Sequence, residues 1–359
     1  MSPAALLNTF DRKEQITLAV GIIGTVVTAI LQAVQVNSLI VFVAAAITMA
    51  ALAGAVGDST DQLGSRLGPG ATGVLQSALG NLPELFIAIF ALQAGLVTVV
   101  QAALVGSILG NSLLVLGLAF LIGGLKHGTQ RFGKTQSRMI AMLIMLAVAA
   151  LAIPTLATRP GQPDAPHAEE LSVICAVVLL IVFAASIPFS LSGGPGASSE
   201  GVSTEKHWPM PLTLIVLAGA GIAAAFVSDW FVAALKPTIE AAHISEGFAG
   251  LVIVAIAGNA VENVVGVQMA ARNEMDLAIS VILNSSLQIA IALIPILVIL
   301  SALMGGAHLT LVLSIPLLVA LALAAIISTF ITYDGESNWL EGAALVALYG
   351  IIAASFWWE

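Results

Sequence analysis

Long apolar runs separated by short polar or Gly/Pro-rich breaks divide the chain into eleven segments, near 15–35, 38–56, 70–95, 100–124, 138–157, 169–191, 209–234, 245–270, 276–303, 308–331 and 339–357. Each approaches the roughly 20 residues a helix needs to cross the hydrocarbon core of a bilayer. The pattern therefore predicts eleven transmembrane helices. The clearest breaks are 57–69 (Gly57-Asp58-Ser59-Thr60-Asp61 through Pro69), 159–166 and 192–204, and the tightest turn is Val36-Asn37-Ser38.

Composition agrees with this reading. Of 359 residues, 59% are hydrophobic and 9% charged, against roughly 25% charged in soluble domains. The fold class expected is an all-α polytopic membrane protein. The net charge of -9 argues against nucleic acid, which demands a basic face. The single cysteine, Cys175, lies in an apolar run; it excludes an intrachain disulfide or thiolate cluster and reads as a buried, inert thiol. Asp11, Arg12, Lys13 and Glu14 mix both signs ahead of a long apolar stretch, so no cleavable signal peptide is expected.

An odd number of spans puts the termini on opposite sides. With the N-terminus in the cytoplasm, the inside segments hold Arg12, Lys13, Arg66, Lys126, Arg131, Lys134, Arg138, Lys206 and Arg272, and the outside segments hold Arg159 and Lys236. Nine against two follows the positive-inside bias. The expected location is a plasma membrane, with the N-terminus cytoplasmic and the C-terminus outside.

Two short motifs interrupt the apolar pattern: Gly80-Asn81-Leu82-Pro83-Glu84 in the third segment and Gly258-Asn259-Ala260-Val261-Glu262 in the eighth. A carboxylate inside an apolar stretch is expensive in hydrocarbon and marks a functional site. Asn and Glu three residues apart share a helix face. Five segments separate Glu84 from Glu262, so the copies enter the membrane in opposite directions, the mark of an inverted-topology repeat with its substrate site near the midplane. The repeats run over 37–191 and 209–359, with 1–36 an additional first helix and 192–208 a cytoplasmic linker. The 178-residue offset between motifs also sets Ser107, in Gly106-Ser107-Ile108-Leu109-Gly110-Asn111, opposite Ser285, in Asn284-Ser285-Ser286-Leu287-Gln288.

These residues suit a hard cation. Ca2+ takes six to eight oxygens from carboxylates, amide and backbone carbonyls and water, and two Glu, two Asn and nearby hydroxyls supply such a set. Pro83 removes a helix donor and frees a carbonyl beside Glu84. A divalent ion neutralises both carboxylates, and two protons do the same, whereas the empty charged pair is penalised in low dielectric. This charge balance favours exchange of one divalent cation for two or more protons.

The stretches from Gly80 to Asn111 and from Gly258 to Ile289 resemble the two repeat motifs of the Ca2+/H+ antiporter (CAX) family within the calcium/cation exchanger superfamily. The resemblance implies eleven helices, Glu84 and Glu262 as shared Ca2+ and proton ligands, and polar help from Asn81, Asn259, Ser107, Asn111, Ser285 and Gln288. No cofactor is implied; Ca2+ is the transported substrate. The partners expected are Ca2+, H+ and the lipid bilayer, and a homo-oligomer is compatible. Two positions depart from the family pattern: Asn263, where the family commonly has His after the Glu, and Val261, where the first repeat has Pro83.

Blander readings compete at several positions. The Asn and Ser residues also serve as hydrogen-bonding glue between membrane helices. Asp276, before an apolar run, reads as a helix N-cap, Glu240 and Glu246 as solvated loop residues, and the Gly-xxx-Gly patterns of the fourth segment as close helix packing. Na+/Ca2+ exchange and Na+ or K+/H+ exchange are the alternatives within the same class. An enzyme would need a nucleophile–base pair or a metal triad, and neither His-Glu-x-x-His nor Gly-x-Ser-x-Gly occurs.

Overall fold

The computed structural model describes residues 9–67, 79–191 and 208–358, a few side chains apart, Glu262 and Val261 among these. The architecture is all-α. The helices are α1 (Arg12–Ala33), α2 (Ser38–Leu67), α3 (Leu82–Gln93), α4 (Val97–His127), α5 (Lys134–Ala157), α6 (Ala168–Leu191) and α7 (Met210–Ala242). Then follow α8, in two arms (Glu246–Gly258 and Ala260–Ala271), α9 (Met275–Met304), α10 (Ile315–Ile331) and α11 (Trp339–Ser355). Among the described residues seven helices are long and apolar enough to cross a membrane, and the bent α8 makes an eighth; α3, α10 and α11 are shorter apolar helices. The protein is a multi-pass membrane protein.

The chain divides into two compact units that do not follow chain order: 1–90 with 186–243, and 91–185 with 244–359. In the first, α2 presents Val41, Ala45, Met49, Leu52 and Val56 along one buried stripe, the i, i+3, i+4 spacing of one helix face. Against it α7 sets Ala224, Val227 and Phe231. Phe42 stacks on Phe231 with ring centroids 4.5 Å apart. α1 is opened by a capping box in which Asp11 and Glu14 each accept the other's backbone N–H at 2.7 Å. It packs on α2 where Thr28 meets Thr48, and most of its surface is exposed.

The polar run at 57–61 does not end α2, contrary to the expected break. Ser59 and Thr60 return their hydroxyls to the carbonyls of Ala55 and Val56 at 2.6 and 2.8 Å, so these polar side chains are satisfied inside the helix. The first nine residues of the segment expected at 70–95 and most of the 192–208 linker lie outside the described residues, but Trp208 does not. It is fully buried, receives Phe10 edge-on, donates its N–H to Gln62 and its indole N–H to Glu14, and its carbonyl accepts from Arg66. The start of α1, the end of α2 and the start of α7 therefore meet at one end of this unit.

The second unit has two well-defined ends. At one, β1 (Gln130–Arg131) pairs with β2 (Glu336–Ser337), Gln130 reaches Asn273, and Arg138 lies over the Tyr333 ring. Asp276 belongs here and corrects its N-cap reading: the cap of α9 is Glu274, while the Asp276 carboxylate accepts the Gly133 N–H at 2.5 Å, at the start of α5. That is where a helix dipole favours an anion.

At the opposite end an extended strap, residues 305–314, dips between helix ends. Its backbone is satisfied by side chains rather than by secondary structure. Gln101 of α4 donates to the carbonyls of Thr310 and Val312. Thr155 of α5 donates to the Leu311 carbonyl and accepts the Leu313 N–H, both at 3.0 Å. Ser172 of α6 accepts from Leu311 and Ser301 of α9 from Leu309. Leu309 and Leu311 are buried, and His308 pairs with Glu169 at 2.6 Å. Non-helical backbone packed among membrane helices needs partners of this kind for its polar groups.

Glycines permit close helix crossings in this unit. A Cβ at Gly106 of α4 would strike the Leu251 carbonyl oxygen and lie 2.6 Å from its Cα, and one at Gly250 would lie 2.8 Å from Ala102 Cβ. Gly117 of α4 meets the Gly342 carbonyl of α11. The small residues of α4 serve helix packing. Cys175, expected to be buried, is part-exposed on α6 beside the outward-facing Ile174 and Val178.

Candidate functional site

Both motifs break their helices at the Asn. In the first, Gly80 and Asn81 form a turn and α3 starts at Leu82, so Glu84 falls in its first turn. Pro83 suits this place because the first helical residues have no intrahelical acceptor for an N–H. In the second, the N-terminal arm of α8 ends at Gly258, Asn259 takes φ -98°, and the next arm opens at Ala260. The segments Glu246–Gly258 and Asn263–Ala271 diverge by 63°. A break of this kind leaves backbone carbonyls without their usual donors.

In the first compact unit Glu84 is 8% exposed and Asn81 6%. The Asn81 amide nitrogen has no hydrogen-bond partner among the described residues, an unusual condition for a buried donor. In the second unit four predicted residues come together. Asn259 donates from Nδ2 to Ser107 Oγ at 2.8 Å and to the Ala255 carbonyl at 3.0 Å. Its Oδ1 accepts from Asn111 Nδ2 at 3.4 Å, and the same Nδ2 donates to Ser285 Oγ at 2.9 Å. Every one of these side chains is buried. Both protons of the Asn111 amide are thus engaged, while its Oδ1 carries no hydrogen bond.

Ser107 and Ser285 occupy matching places in the sequence pattern, but Ser107 bonds Asn259 and Ser285 bonds Asn111. Gln288 is half-buried and makes no hydrogen bond among the described residues. The backbone of Glu262 lies in the second arm of α8, and its side chain is outside the described residues.

Two features escaped the sequence reading. Ser112 and Ser286, both fully buried, share a hydrogen bond of 3.1 Å directly after Asn111 and Ser285. Three π-helical turns also flank the site: Gly110–Val115 in α4, Ala249–Val254 in α8 and Ile289–Leu293 in α9. Such turns recur at functional sites, and here one contains Asn111 and another begins just after Gln288. Among the described residues no group of three His, Cys, Asp or Glu is gathered, so amide and hydroxyl oxygens dominate the polar set.

Residues 37–192 and 212–358 match the family described as sodium/calcium exchanger protein. The chain belongs to that family. Its place there is the Ca2+/H+ antiporter (CAX) branch. It is 35% identical over 325 residues to the Ca(2+)/H(+) antiporter ChaA of Bacillus subtilis, covering 89% of this chain and 92% of that protein. It is 35% identical over 339 residues to the Ca(2+)/H(+) antiporter of Synechocystis, covering 89% and 91%. The solved structure of native YfkE superposes with a TM-score of 0.82 at 33% identity, over 96% of this chain and all of that one. This CAX-family chain is a transporter and not an enzyme.

Proposed function

We propose that this protein exports cytoplasmic Ca2+ in exchange for external H+ by alternating access, with Glu84 and Glu262 as the shared Ca2+ and proton site. Ca2+/H+ antiport is the activity named for its CAX-family relatives. The observation that carries the reading is the orphaned Oδ1 of Asn111, 1% exposed, in a network whose amide N–H donors are all spent elsewhere. A buried carbonyl oxygen without a donor is costly, and a hard cation removes that cost. Asn81, Asn259, Ser107, Asn111 and Ser285 then supply neutral oxygens or orient them, and the carboxylates supply the charge that metal and protons compete to neutralise. Gln288 enters this set only if α9 rotates about its π-helical turn.

In this proposal α3, α10 and α11 also cross the membrane, completing eleven spans. Residues 37–191 and 209–359 are the inverted repeats, 1–36 stands outside them, and 192–208 is a cytoplasmic linker. The strap end of the second unit faces out of the cell and the β1–β2 end faces the cytoplasm. Lys126, Arg131, Lys134, Arg138 and Arg272 cluster at the latter and Arg159 alone at the former, as the positive-inside bias requires in a plasma membrane.

The test is Ca2+ uptake into inside-out vesicles under an imposed proton gradient, for wild type, Glu84→Gln and Glu262→Gln. Uptake should collapse in both variants and should not be restored by a Na+ gradient. Uptake that follows Na+ and ignores protons assigns Na+/Ca2+ exchange instead, and full activity in either variant refutes the paired-carboxylate site.

A further inference from the structure

One carboxylate lies outside the set of residues assigned to the exchange site. Asp229 lies in α7, 19 residues from its start and 13 from its end, about 20 Å from the C-terminal end at 1.5 Å per residue. It is the lone charge between Leu212 and Leu235. It is exposed rather than turned into the α2 contact, and among the described residues it has no hydrogen bond or ion pair. Intramembrane carboxylates normally face the bundle interior or a partner.

Asp229 closes one end of an apolar groove of about 840 Å³ within the first compact unit. The small residues Ala218, Gly221 and Ala225 form its track along α7, and Phe86, Phe90 and Phe226 wall it. A stripe of small residues in a membrane helix usually receives another helix. Here the space is open: a Cβ at Gly221 would meet nothing within 4 Å. The occupant must be apolar along its length and cationic at one end. A second copy of this chain brings no such cation among the described residues, where every Lys and Arg lies between helices or within two turns of a helix end.

We propose that the groove binds a phospholipid with a primary ammonium headgroup, of the phosphatidylethanolamine class. An acyl chain lies along Ala218–Gly221–Ala225, and the ammonium donates to the Asp229 carboxylate from the leaflet nearer the C-terminus of α7. A charge-assisted bond in a low-dielectric setting is roughly twice as strong as a neutral one. A trimethylated headgroup has no N–H to donate.

The experiment reconstitutes the full-length protein in bilayers of equal phosphatidylethanolamine and phosphatidylcholine and counts retained lipids by native mass spectrometry. Wild type should retain the ethanolamine lipid at least about tenfold over the choline lipid, from the energy of one charged hydrogen bond. Asp229→Asn should lose that preference, Asp229→Glu should keep it, and Gly221→Leu, whose Cβ meets nothing within 4 Å and whose side chain enters the groove, should release both lipids. Preference unchanged in Asp229→Asn overturns the proposal. So does a disulfide forming between copies through Ala225→Cys, which would make the face a contact between protomers. A transport defect of Asp229→Asn that is equal in pure phosphatidylcholine, with wild-type lipid retention, would place the carboxylate on the cation path and overturn it as well.

Discussion

Gly106→Ala offers a graded test of the coupling between helix packing and the polar network. The added Cβ would lie 2.6 Å from Leu251 Cα, whereas non-bonded carbons settle at about 3.5 Å or more. The α4 and α8 backbones must therefore part by about 1 Å. Ser107 is the next residue, and its bond from Asn259 at 2.8 Å would stretch to about 3.8 Å, beyond hydrogen-bonding reach. Overpacking costs about 1–3 kcal/mol and the lost bond about 0.5–1.5 kcal/mol, together about 1.5–4.5 kcal/mol. The assay pairs thermal unfolding in detergent with Ca2+ uptake in vesicles. Gly106→Ala should lower both, while Gly219→Ala, where a Cβ meets nothing within 4 Å, should leave uptake unchanged and hold or slightly raise stability. Wild-type stability and uptake in Gly106→Ala would refute the claim that this crossing positions Asn259.

Thr155→Val keeps the side-chain shape but removes a hydroxyl that serves two strap backbone groups. It should destabilise the protein by about 2–4 kcal/mol, as two buried polar groups lose their partner, read as a lower midpoint of thermal unfolding. Ser112→Ala and Ser286→Ala should each cost about 1 kcal/mol, and the double variant should cost less than their sum because neither orphan remains. Asp276→Ala removes an exposed cap on α5 and should cost no more than about 1 kcal/mol, measured in the same unfolding assay.

The all-α membrane architecture was legible in the sequence because hydrocarbon imposes a blunt rule: about 20 apolar residues per crossing. The helix boundaries were not equally legible. The polar run after Gly57 reads as a loop until Ser59 and Thr60 are seen bonding backward within α2. The π-helical turns leave no compositional trace, because the same apolar residues satisfy either hydrogen-bond pattern. The 178-residue offset between the motifs matched Ser107 to Ser285 by position and carried no information on contacts. Contact runs between unlike members of the two motifs, Asn259 with Ser107 and Asn111 with Ser285. Asp276 shows the same limit: its position before an apolar run announces a cap but does not say which helix is capped.

The strap at 305–314 bears on how the protein is made. Gln101, Thr155 and Ser172 are synthesised well over a hundred residues before the backbone they serve. Until Leu311 and Leu313 arrive, those side chains sit near helix ends with their strap partners missing, and α4, α5 and α6 lack the segment that fastens them to α9. The nascent chain therefore holds an unfinished end through most of translation. A ribosome stalled before residue 305 would therefore leave a product in which the strap-facing side chains of α4, α5 and α6 lack the partners they have in the finished protein.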